Sequence, residues 1–116
     1  MRAQRQIVFH KYYFTEFYVT QTKAIQEKID YVFTILRTVE KVPRKFFDHM
    51  EGTDGLHEIR IEYNSIIYRV FCCFDKGNLV ILFNGFQKKS QETPKQVLDL
   101  AIKLKKEYFS SKNEPK

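Results

Sequence analysis

The sequence predicts an α+β fold with a short N-terminal strand, two N-terminal helices, an antiparallel three-stranded meander and a C-terminal helix. Three observations predict it. Apolar residues recur every three or four positions between Thr22 and Val39, alternate with charged residues from Leu56 to Tyr63, and return to helical spacing after Pro94.

In chain order, residues 4–9 suit a first strand. Residues 12–19 are so aromatic that strand and helix both fit, and helix onset is the expectation there. From Thr22 the chain reads as an amphipathic helix, with Ile25, Ile29, Val32, Leu36 and Val39 on one face, stopping before Pro43. Residues 44–55 form a connector, closed by the Asp54-Gly55 turn pair. The meander then runs through residues 56–63, 66–74 and 79–86, with turns at Asn64-Ser65 and around Gly77. Thr93-Pro94-Lys95-Gln96 is a capping sequence and starts the last helix at Pro94. Its apolar face carries Val97, Ala101, Leu104 and Tyr108, and residues 111–116 are expected to fray.

A chain of 116 residues, 43% hydrophobic and 16% aromatic, supplies one core, so residues 1–116 are expected to form a single domain. The net charge of +6 favours polyanionic partners: nucleic acid, an acidic protein or an anionic membrane surface. Cys72 and Cys73 are adjacent, which excludes a disulfide framework and marks them as small buried hydrophobes on opposite strand faces. No apolar stretch is long enough for a signal sequence or a membrane span, so the cytoplasm is the expected location. There is no glycine-rich phosphate loop, nucleophile elbow or metal-ligand spacing, and no cofactor or metal is expected. His10, His49 and His57 lie in different elements and remain candidates for acid or base work.

Arg60 stands opposite the apolar face of its strand, and Arg69 interrupts an otherwise apolar one. A lone buried charge is costly, so two explanations stand side by side. Arg69 pairs with Glu58 or Glu62 across the hairpin, or both guanidiniums meet an anion in a cleft, with Lys88 and Lys89 contributing from just beyond the neighbouring strand.

Glu58-Ile59-Arg60, Tyr68-Arg69-Val70, and Gly85-Phe86 followed by Lys88-Lys89 and Thr93-Pro94 give the C-terminal half a distinctive signature. With it, the sequence resembles the HigB-type, phage-derived branch of the RelE/ParE toxin superfamily of type II toxin-antitoxin systems. The resemblance implies a RelE-like fold and a metal-independent endoribonuclease that cleaves messenger RNA on the ribosome, silenced by a helix-turn-helix antitoxin. It matches Arg60 and Arg69 to phosphate clamps and transition-state stabilisers, and Lys88 and Lys89 to the basic stretch after the last strand. His57 is the candidate general acid or base, because imidazole titrates near ~6.5; its alternative is a surface strand residue. Tyr68 and Tyr108 are expected to pack in the core. A ParE-like gyrase poison and a non-catalytic binding module of the same fold are the rival functions.

Overall fold

The computed structural model describes residues 4–113. The elements are β1 (Gln6–Phe9), α1 (Tyr13–Val19), α2 (Lys23–Thr38), β2 (Phe47–His49), β3 (Leu56–Tyr63), β4 (Ile66–Asp75), β5 (Leu79–Lys88) and α3 (Lys95–Asn113). The strands form one mixed sheet in the order β1-β5-β4-β3-β2, in which only the β1–β5 pair is parallel.

Alternation along the strands divides the core into two layers. Ile59 and Ile61 of β3, Tyr68, Val70 and Cys72 of β4, and Val80 and Leu82 of β5 pack with Phe14 of α1 and Ile29, Val32, Phe33 and Leu36 of α2. On the opposite face Leu56, Phe71, Cys73, Ile81 and Phe83 pack with Ala101 and Leu104 of α3. The adjacent cysteines thus enter different layers, and burial pushes the Cys72 thiol well up and the Cys73 thiol to about 11.

Thr22 caps α2 by accepting the Ile25 N–H at 3.4 Å. At the far end Arg5 donates to the Leu36 carbonyl in the last turn at 3.0 Å and to those of Val39 and Glu40, just past the helix, at 2.8 Å each. The Tyr18 hydroxyl fastens α1 to the Asp30 carboxylate of α2 at 3.0 Å. Asn64 and Ser65 both have positive φ, 51° and 66°, as the two-residue turn between β3 and β4 requires.

The sheet is larger than the three-stranded meander expected from sequence. β1 joins it by parallel pairing with β5, and β2 arises inside the expected connector, where three residues are too few to display a period and pairing with β3 makes the strand. β5 runs on to Lys88, so this lysine lies in the strand and not beyond it. The N–H groups of Val97 and Leu98 both bond the Pro94 carbonyl, and the helix opens at Lys95, one residue later than expected. The tail is also better held than expected: α3 continues to Asn113, and Lys112 pairs with the buried Asp75. Residues 114–116 of that tail lie outside the described residues.

A bulge sets the orientation of the last strand. Val70 faces Gly85 and Cys72 faces Leu82, so Phe71 alone stands against Phe83 and Asn84. Before the bulge Leu79, Ile81 and Phe83 point toward α3; after it Phe86 does, and Lys88 follows Phe86 by two. Asn84, within the bulge, donates to the Val97 carbonyl at 3.1 Å and ties the start of α3 to it.

Candidate nucleic-acid interface

Arg60 of β3 and Arg69 of β4 are direct cross-strand partners, so their side chains leave the same face of the sheet. Lys88 of β5 pairs with Ile67, two residues from Arg69, and shares that face. This is the α3 face, but α3 covers only its Leu56–Phe71–Ile81 half. The remainder is an open groove, walled by β2 with its preceding turn and by the loop that leads into α3.

Three adjoining hollows compose the groove. One of about 360 Å³ is lined by Arg44, Asp48, Glu51, Glu58, Arg60 and Lys88, among others. The next, about 210 Å³, adds Lys45, Glu62, Ile67 and Arg69, and a third of about 450 Å³ runs past Lys88 to Lys89, Ser90 and Gln91. Arg60, Ile67 and Lys88 each line two of them, so the hollows are continuous. The lining carries six cations and four carboxylates, which makes it a net attractor of anions.

Two guanidiniums side by side would repel, and Glu58 lies between them. Its Oε1 accepts from Arg60 Nε at 2.9 Å, lies 2.8 Å from Arg60 Nη2 as an ion pair, and sits 3.6 Å from Arg69 Nε. The last distance is an ion pair without a hydrogen bond. Side-chain exposure falls from 32% at Arg60 to 13% at Arg69 and 9% at Glu58, so the carboxylate forms the floor. Arg60 also donates from Nη1 to the Arg44 carbonyl at 3.3 Å and lies 3.5 Å from Asp48. Arg44, whose hydrogen bond is the largest influence on Asp48, holds that carboxyl below its usual range. Arg69 donates from Nη1 to the Tyr68 carbonyl at 3.2 Å, and its buried Nε has no hydrogen-bond partner among the described residues. Burial lowers the Arg69 pKa while Glu58 opposes the shift; an arginine remains charged under such conditions.

Arg69 therefore pairs with Glu58, the first of the two sequence explanations, and stands beside Arg60 on the same face. Lys88 joins them from the neighbouring strand and Lys89 from the loop. Among the described residues no carboxylate lies within ion-pair reach of Lys45, Lys88 or Lys89.

His57 is not part of this groove. Three residues from Arg60 on one strand, it emerges on the other face, stacked on Phe47 at 5.0 Å and edge-on to Phe74 and His49, each at 5.2 Å. Burial lowers its pKa, and its ring belongs to an aromatic cluster beneath β2. His10 lies elsewhere, edge-on to Phe83 and Tyr108. Tyr68 is buried, and Tyr108 packs against the α3-side core while donating to Asp75 at 2.7 Å. Arg44, Lys45, Asp48 and Glu51 were not singled out in the sequence, because only the pairing of β2 with β3 brings them to the groove. Among the described residues no three His, Cys, Asp or Glu side chains gather as metal ligands would, and no helix is long and apolar enough to cross a membrane.

The model of the phage-derived protein Gp49-like family (DUF891) matches residues 16–106, a span that includes α2, the whole β2–β5 sheet and most of α3. The chain belongs to the Gp49-like family. Gp49-like proteins are RelE/ParE-like toxins of type II toxin-antitoxin systems, and a cognate antitoxin is accordingly the partner. None of the curated proteins matches the chain. The Gp49-like match covers every groove residue named above.

Proposed function

We propose that this toxin is of HigB type and cleaves messenger RNA on the ribosome as a metal-independent endoribonuclease. The observation that carries the reading is the cross-strand pairing of Arg60 with Arg69 on an open, cation-rich face. The HigB assignment rests on Glu58-Ile59-Arg60, Tyr68-Arg69-Val70 and the Gly85-to-Pro94 stretch.

RNA carries its own nucleophile. The 2′-oxygen bonds to the adjacent phosphorus, the P–O5′ bond breaks, and the products are a cyclic phosphate and a 5′-hydroxyl. The protein must position the strand, move two protons and stabilise charge on the phosphorane. Arg60 and Arg69 supply planar donor forks for the phosphorane oxygens, and Lys88 and Lys89 hold the flanking backbone. Glu51 and Glu62 are the groove carboxylates outside ion pairs among the described residues, and either can accept the 2′-hydroxyl proton. Lys88, at the junction of two hollows, is the donor to the leaving 5′-oxygen. The antitoxin, a helix-turn-helix protein in this reading, silences the groove by laying acidic side chains over its cations.

The test combines purified toxin, ribosomes and a defined messenger. Arg69→Lys and Arg60→Lys keep the charge opposite Glu58 but lose the fork, and each should cut cleavage by about 10²-fold or more with an unchanged circular-dichroism spectrum. Arg60→Ala and Arg69→Ala should abolish it. Undiminished cleavage in the arginine variants would remove the proposed site; intact messenger with damaged DNA on induction would favour the gyrase reading.

A further inference from the structure

Glu58 is buried at the floor of the groove, yet among the described residues its carboxylate is the only acid that touches both arginines. It does not treat them alike. Arg60 donates to it from Nε with Nη2 ion-paired alongside, donates from Nη1 to the Arg44 carbonyl and leans on Asp48, so most of this guanidinium is already committed within the protein. Among the described residues Arg69 makes one hydrogen bond, from Nη1 to its neighbour's carbonyl; its Nε is buried beside Glu58 without one, and the bonds of Arg69 leave its outer fork uncommitted.

We propose that Glu58 is a positioning residue, which locks Arg60 in place and uses its charge to hold Arg69 alongside, with the free Arg69 donors aimed at the phosphate. This inference rests on the nuclease reading. Removing its charge should then act in opposite directions on binding and on chemistry. A groove with one carboxylate fewer attracts RNA more strongly, while two unrestrained arginines no longer meet the phosphorane in the required geometry.

The experiment uses Glu58→Gln, which keeps the volume, alongside wild type. Binding is read with a fully 2′-O-methylated RNA that cannot be cleaved, turnover with ribosomes and messenger, and the arginines through their Nε–Hε signals in ¹⁵N-labelled protein. The expected result is several-fold tighter binding of the methylated RNA, kcat lower by about 10²-fold, and faster hydrogen exchange at Arg60 Nε. Wild-type kcat in the variant overturns the inference. So does a joint loss of binding, turnover and thermal stability, which would reduce Glu58 to a support of the fold; Glu58→Ala provides a second variant for that comparison. A wild-type protein that cleaves nothing overturns the nuclease reading instead, while exchange at Arg60 Nε still reports whether Glu58 restrains the arginines.

Discussion

Gly85 has no room for a side chain. A Cβ there would lie 2.7 Å from Cδ2 and 2.9 Å from Cε2 of the Phe17 ring, well inside van der Waals contact. The close approach lets α1 press onto β5 beside the bulge that turns Lys88 toward the arginines. Gly85→Ala should destabilise the protein by about 1–3 kcal/mol through overpacking. Thermal denaturation measures this, and an unchanged melting temperature would mean that Phe17 yields. The same residue scale separates what the sequence disclosed from what it concealed. Arg69 stood out because it breaks an apolar pattern and a charge so placed needs a partner, whereas Arg60 keeps the polar alternation of its strand and was marked by the family resemblance. The position of His57 follows from strand parity, since three residues along a strand from Arg60 reverses the face. The facing of Lys88 was not legible, because one extra residue in β5 inverts every side chain that follows.

Among the elements, α3 is held at both ends by polar groups. Asn84 binds its start, and near its end Tyr108 and Lys112 converge on Asp75, the last residue of β4. The bonds from Lys112 and then Tyr108 hold the Asp75 carboxyl below its ordinary value of 3.8. A depressed acid stabilises the folded state above the unfolded value, and that contribution disappears as pH falls through the lower folded one. Asp75→Asn should therefore lower the melting temperature at neutral pH and flatten its decline below about pH 4. Melting curves across that range decide the matter; parallel profiles for variant and wild type would dismiss the tether. α2, β3, β4, β5 and α3 were each readable from local period and capping. β2 was not, since a three-residue strand exists only through its neighbour, and the parallel attachment of β1 depends on a partner more than 70 positions away.

Across the whole molecule the net charge of +6 is modest, and what distinguishes the groove is the gathering of Lys45, Lys88 and Lys89, outside ion pairs among the described residues, around the two arginines. Four contacts, from Arg60, Arg69, Lys88 and Lys89, to a single-stranded backbone predict that log Kd for the methylated RNA rises with log salt at a slope of about 3. Fluorescence titrations between low and moderate salt measure the slope, and salt-independent affinity would argue against phosphate contacts. Lys88→Ala should lower the slope by about 0.7.

The parallel pairing of β1 with β5 joins two segments more than 70 residues apart, so the earlier one leaves the ribosome well before its partner. Gln6 meets Leu79 and Phe9 meets Leu82, so a nascent chain keeps its leading strand without a neighbour until residues beyond 82 have left the exit tunnel. The groove depends on the same late strand for Lys88. A nascent chain that stops short of β5 consequently lacks both the neighbour of its β1 strand and the lysine that completes the groove.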